Sequence, residues 1–200
     1  MISKPVPLID PGPIETPRLH VRGVAEADLP ALLAVNGDAE VTRFLPYPAW
    51  ATLADGEAWL KRMNGIQASG AALQFVIVDK LAGHAIGTCL LFRHDEGSAR
   101  AELGYVLARA CWGRGLMHEA LVALVGTAFT RMGLRRLEAE VDPRNGASGR
   151  ALQRLGFTRE GVLRQRWVDK GEAHDVEAYG LLRHEWPGAA SPVAAHETPR

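Results

Sequence analysis

The sequence predicts an α/β domain, a mixed sheet with helices on both faces, and three observations lead there. The elements read in the order β-α-α-β-β-β-α-β-α-β-β, which mixes hairpin-linked strands with helical crossovers. The 200 residues are 47% hydrophobic, enough for one domain with a real core. The stretch Ala101–Met132 runs from a strand through a glycine loop into a long helix.

Residues 1–13 carry Pro5, Pro7, Pro11 and Pro13 and are expected to be an extended or disordered leader before a domain over 14–186. Arg18–Arg22 alternates charge and bulk as a half-buried strand does. Ala25–Val35 spaces Leu29, Leu32 and Leu33 helically, with Pro30 early where a helix start accepts it. Asp38–Pro48 reads as a short helical piece ending in Leu45-Pro46-Tyr47-Pro48, and Thr52–Gln67 as a helix with Trp59, Leu60 and Met63 on one side. Ser69-Gly70 ends it.

Leu73–Val78 and Ala85–Phe92 are two strands joined at hairpin length, and Ala99–Leu107 is the next strand. From Leu116 to Met132, the apolar positions Leu121, Leu124, Val125, Ala128 and Met132 recur at helical spacing. Arg136–Val141 is a strand, and Asp142–Gly146 turns into a helix over Ser148–Leu155. Phe157–Val168 and Ala173–Leu182 form a final antiparallel pair, and the Pro/Ala/Ser-rich residues 187–200 are expected to be a disordered tail.

Lys plus Arg and Asp plus Glu each number 23, so no global field draws the protein to nucleic acid or to a membrane. Any anion must be caught by local geometry. Cys89 and Cys111 follow no metal or disulfide pattern, and no signal peptide is read, which predicts a reducing, cytoplasmic setting. The apolar run near Ala120–Phe129 is too short to span a bilayer. The histidines show no ligand spacing, so no metal is expected.

Trp112-Gly113-Arg114-Gly115-Leu116-Met117 places two glycines where the long helix starts. Free backbone N–H groups and the positive end of the helix dipole suit an anion there, and Arg114 adds a charge. A Rossmann fingerprint does not fit: position 118 is His where the third glycine belongs, and Ala108–Trp112 makes the turn too long. A Walker A loop would need Gly-Lys-Ser/Thr. Downstream stand Asp142-Pro143-Arg144-Asn145-Gly146-Ala147-Ser148 and Leu152-Gln153-Arg154-Leu155-Gly156-Phe157.

Together these patterns resemble the GNAT superfamily of acetyl-CoA-dependent N-acetyltransferases, and within it the ribosomal-protein N-terminal acetyltransferases of the RimJ/RimL group. The resemblance covers about Glu15–Trp186. Trp112 and Met117 depart from the generic Gln/Arg-x-x-Gly-x-Gly/Ala loop. The resemblance implies a mostly antiparallel, twisted sheet with a splayed central strand pair. It implies that the backbone of Gly113–Met117 holds the CoA pyrophosphate, that Leu107 and its strand neighbours pair with the pantetheine arm as a sheet edge takes an extra strand, and that Asn145 bonds the pantetheine. It also implies direct transfer to a primary amine in a ternary complex, and it admits a homodimer.

Glu102 and Glu160 are the candidate general bases, ranked equally, and Ser148 is the candidate hydroxyl for the departing sulfur. Each has a plain structural alternative: a solvated strand carboxylate for Glu102 or Glu160, a helix cap for Ser148, a turn former for Asn145. Tyr47, Trp50 and His174 are candidates for the acceptor mouth, with packing the alternative for the aromatics. An α-amine with a reference pKa near 7.7–8.0 is already partly neutral at pH 7, whereas a lysine near 10.4 demands roughly 4–5 kcal/mol to become so. The resemblance to the RimJ/RimL group implies a protein N-terminal α-amine as acceptor, and such an amine asks little of the base. A small-molecule amine and a non-catalytic acyl-CoA-binding regulator are the alternatives.

Overall fold

The computed structural model describes residues 7–169 and 171–186. The expected tail over 187–200 and the first six residues of the leader lie outside the described residues. Eight strands form one sheet: β1 (Ile14–Glu15), β2 (Leu19–Gly23), β3 (Leu73–Asp79), β4 (His84–Asp95), β5 (Arg100–Leu107), β6 (Arg136–Val141), β7 (Thr158–Asp169) and β8 (Glu172–Leu182). Their spatial order is β1-β2-β3-β4-β5-β6-β8-β7. Every neighbouring pair is antiparallel except β5 and β6, which run parallel.

Helices cover both faces because the central strands are apolar on both. On β3, Leu73, Phe75 and Ile77 point to one core and Val76 and Val78 to the other, as the period of two dictates. The larger core is capped by α3 (Leu116–Thr130), which buries Ala120, Leu121, Leu124, Val125, Ala128 and Phe129. Leu152 of α4 (Gly146–Arg154) joins it. Opposite, α1 (Leu29–Asn36) and α2 (Leu53–Ala68) bring Leu29, Leu32, Trp59 and Leu60 onto Val76, Val78 and Ala85.

The feature that positions the site is the β5–β6 pair. Its register holds only over Arg100↔Arg136, Ala101↔Leu137 and Glu102↔Glu138, after which the strands part. The sheet is thus open between Leu103–Leu107 and Ala139–Val141, and buried carboxylates stand at the fork.

Three local expectations change, and the described part of the leader is fixed in place. Asp38–Pro48 forms turns rather than a helical piece, with isolated bonds from Thr42 N–H to the Asp38 carbonyl (3.1 Å) and Leu45 N–H to the Thr42 carbonyl (3.0 Å). Pro46 and Pro48 supply no N–H to continue a ladder. The fourth helix starts at Gly146, two residues before Ser148. Ile14 and Glu15 add an edge strand. Residues 7–13 have no helix or strand, yet Leu8 is buried in the main core and Arg131 donates to the Pro11 carbonyl, so this segment is tied down.

Candidate active site

Gly113 and Gly115 both take left-handed backbone, with φ of 72° and 73°, the conformation that excludes most side chains and turns the chain into α3. No side chain caps this helix start. The first helical bond runs from Glu119 N–H to the Gly115 carbonyl at 3.1 Å, so the amides of Leu116, Met117 and His118 precede the ladder. Glu119 is an acidic residue in that first turn, and it is drawn aside. Its carboxylate accepts from the Thr16 hydroxyl (2.6 Å) and from Arg18 N–H (2.8 Å) and Nε (2.6 Å). Arg18 Nη1 in turn donates to the Arg114 carbonyl at 3.0 Å, which braces the loop from the residue before β2.

The loop opens onto a groove of about 640 Å³ between β5 and α4. Trp112 Nε1 donates to the Leu107 carbonyl at 2.8 Å, so that carbonyl is already engaged. Ala108 N–H turns toward β4, bonding the Ile86 carbonyl at 2.8 Å. By strand alternation, the N–H groups of Leu107 and Tyr105 turn toward the open side. Arg150 and Arg154 of α4 line the same groove. Met117 lines it as well, whereas the Arg114 side chain is exposed outside it.

At the head of α4, Asn145 is the cap: its Oδ1 accepts from Ser148 N–H at 3.2 Å. That frees the Ser148 hydroxyl, which lies 2.7 Å from the Tyr105 phenol. The phenol also reaches the Ser148 carbonyl at 3.2 Å. Burial pushes Tyr105 up to about 12 against the lowering effect of the Ser148 bond, so it stays protonated at neutral pH.

A second cavity of about 490 Å³ occupies the fork between β5 and β6, roofed by the Arg43–Tyr47 turn and β7. Tyr105, Asn145 and Ser148 line both cavities. The floor of the second is Glu102, whose side chain is 8% exposed. Burial pushes its carboxyl above the ordinary range, with the Glu140 and Glu138 charges adding to that, against the pull of Arg93 at 2.8 Å. Two bulges build this floor. A register shift between Phe92 and Asp95 leaves Arg93 with a φ of 48° and brings its guanidinium to Glu102 and, at 3.4 Å, to Glu140. A second shift between Leu163 and Trp167 gives Gln165 the same φ, and beyond it the Trp167 indole N–H reaches Glu140 Oε2 at 2.7 Å.

The other candidates separate cleanly. Glu160 lies outside both cavities; Arg136 holds it in a two-pronged pair at 2.9 and 2.6 Å and keeps its carboxyl below the ordinary range. The pair lies over Gly180, where a Cβ would run into the Glu160 carboxylate. Trp50 is a core residue, 8% exposed, with its ring centroid 5.5 Å from that of Trp59. Tyr47 and His174 do line the fork cavity, and the Tyr47 hydroxyl donates to Asn36 Oδ1 at 3.2 Å. Among the described residues no cluster has the makings of a metal site, and no helix is long and apolar enough to cross a membrane. Sequence reasoning missed Tyr105, whose phenol, mid-strand beside a glycine loop, was the available signal. It also missed Arg93, which nothing in the sequence marks. Glu160→Gln is expected to leave kcat within about twofold, since Glu160 lines neither cavity and a surface pair contributes only about 0–1 kcal/mol to stability; a hundredfold loss in steady-state assays would return Glu160 to the reaction.

Comparison with known proteins agrees with this architecture. Residues 18–158 match the family model described as the acetyltransferase (GNAT) domain. An uncharacterized N-acetyltransferase, p20, of Bacillus licheniformis is 34% identical over 173 residues, covering 86% of this chain and 97% of that protein. The Escherichia coli [ribosomal protein uS5]-alanine N-acetyltransferase is 31% identical over 134 residues, covering 66% of this chain and 69% of its own length. The crystal structure of a GCN5-related N-acetyltransferase from Brucella melitensis superposes with a TM-score of 0.82 at 28% identity, covering 92% of this chain and 85% of that one. Sequence and fold agree over most of the length, and the chain belongs to the GNAT family of acetyltransferases.

Proposed function

We propose that the protein transfers acetyl from acetyl-CoA to a peptide N-terminal α-amine, by direct attack in a ternary complex. The observation that carries this reading is the Tyr105–Ser148 pair on the wall common to a cofactor-sized groove and a fork cavity floored by Glu102. GNAT acetyltransferases use acetyl-CoA, which supplies an activated acyl thioester when bound. The groove suits it: the amides of Leu116, Met117 and His118 form an uncapped anion site, and Arg150 and Arg154 add positive charge. The outward N–H groups of Tyr105 and Leu107 take the pantetheine arm or the thioester oxygen. The Asn145 amide nitrogen is the end left to face the groove once Oδ1 caps the helix.

In the fork cavity, Glu102 takes the proton from the incoming ammonium, directly or through water. Its raised pKa brings it closer to the reference α-amine value, which eases that transfer. Tyr105 serves the departing sulfur by hydrogen bonding. A phenol near 12 would give up its proton uphill to a thiolate of about 8.5, so it solvates the sulfur. The second proton, shed by the attacking nitrogen as the C–S bond breaks and the amide forms, goes to that thiolate to give the free thiol. Ser148 fixes the orientation of that phenol. A hydrogen bond to a charged group is worth about 1.5–3 kcal/mol, so Tyr105→Phe is expected to lower kcat roughly ten- to a hundredfold with little change in acetyl-CoA affinity. Unchanged kcat would remove the phenol from the reaction.

An N-terminal amine is favoured over lysine because one carboxylate is a modest base. The similarity to a protein named [ribosomal protein uS5]-alanine N-acetyltransferase points the same way, since an alanine side chain has no amine. The test is thiol release from acetyl-CoA with peptides bearing free α-amines, with the same peptides blocked at the N-terminus but carrying lysine, and with small amines. Turnover confined to free N-termini is the expected outcome; turnover confined to small amines would replace the peptide reading with metabolite acetylation.

A further inference from the structure

The charges of the fork cavity are layered by depth. Its three carboxylates are buried, with Glu102, Glu140 and Asp142 side chains 8%, 11% and 7% exposed. Its four guanidiniums stand at the rim: Arg43, Arg93, Arg144 and Arg166 are 62%, 50%, 60% and 49% exposed. Each carboxylate is already paired, Glu102 with Arg93 at 2.8 Å, Glu140 with Arg166 at 3.1 Å and Asp142 with Arg144 at 2.6 Å. Arg43 pairs with the exposed Glu40 at 3.9 Å and lies over the Phe44 ring, 5.2 Å from its centroid.

We propose that the acceptor is an amine bearing an anionic group close to it, in its peptide form an N-terminus followed by acidic residues. This rests on the acetyltransferase reading of the same cavity. The amine enters toward the buried carboxylates while the acid group stays at the rim among guanidiniums, so the acceptor's dipole matches that of the cavity. Proton uptake by Glu102 removes one negative charge from the floor and leaves the cavity more positive, which favours the anion further. A polycation finds the reverse: among the described residues each carboxylate of the cavity already has an arginine, and four half-exposed guanidiniums repel it at the entrance. Because the whole chain carries no net charge, this discrimination comes from the rim alone.

The test compares kcat/KM for peptides sharing one free N-terminal residue and followed by acidic, neutral or basic residues, at low and at high ionic strength. Free amino acids with acidic side chains and a polyamine complete the set. Acidic peptides should exceed basic ones by roughly tenfold at low salt, with the gap closing as salt screens the rim. Arg43→Gln, at an exposed position, should narrow the gap, and an unchanged melting temperature shows that the fold is kept. Equal rates on acidic and basic peptides, or a polyamine as the best acceptor, would overturn the proposal and leave the acetyltransferase reading standing. Transfer to acidic amino acids with none to any peptide would support the anionic acceptor and overturn the peptide reading, so the two fail separately.

Discussion

Glu102→Gln is expected to lower kcat by about 10²–10⁴-fold, the range over which a positioned general base acts, while leaving acetyl-CoA affinity unchanged. The fold should survive, because Arg93 keeps its second partner in Glu140 and the amide fills the same space. The loss should depend on pH with a definite sign. Well below the raised Glu102 pKa, the wild-type carboxyl is protonated and has no advantage over the amide. Above the amine's own pKa of about 8, the acceptor is already neutral and a base contributes little. The ratio of wild-type to variant rates should therefore peak between those two ionisations and shrink on either side. A ratio that stays flat across pH would assign the lost rate to geometry rather than to proton transfer.

Gly115→Asp should weaken acetyl-CoA binding by at least about a hundredfold. Two effects add. The residue sits at a φ of 73°, which costs an L side chain about 1–2 kcal/mol. A carboxylate beside the site of a pyrophosphate then meets a like charge, worth about 4 kcal/mol at 4 Å in an effective dielectric near 20. Space is not the obstacle, since the nearest atom to an added Cβ is Arg18 Nη2 at 3.6 Å. Gly115→Asn therefore isolates the charge: asparagine meets the same left-handed backbone as aspartate and is neutral, so its loss should be several-fold only. Calorimetric titration of acetyl-CoA into both variants separates the two contributions. Equal affinity for wild type and Gly115→Asp would remove the loop from the cofactor site.

The loop and the strand before it were legible in the sequence because both are backbone devices. Glycines at a helix start and an apolar alternating strand write their geometry locally. Which of Glu102 and Glu160 stands in the fork was not legible, since that depends on where the sheet opens. Register ends at Glu102↔Glu138, so Glu102 is left in the opening, while β7 carries Glu160 onto β8, against Arg136 and over Gly180. Tyr105 read as strand content because its partner, Ser148, lies 43 residues away and is freed only when Asn145 takes over the capping. Arg93 owes its place to a bulge whose positive φ falls on an arginine, which no turn residue announces. For Trp50 the sequence left the acceptor mouth and packing as alternatives, and burial against Trp59 claims its ring. Hydrophobic demand settles such a position before function does.

The most direct test is to locate the transferred group. The protein is incubated with acetyl-CoA labelled in the acetyl carbons and a peptide holding both a free α-amine and an internal lysine, and peptide and protein are fragmented by mass spectrometry. The account predicts label on the α-amine alone, with none on the enzyme. Label on the lysine, or an acetyl group held on Cys111, would contradict it.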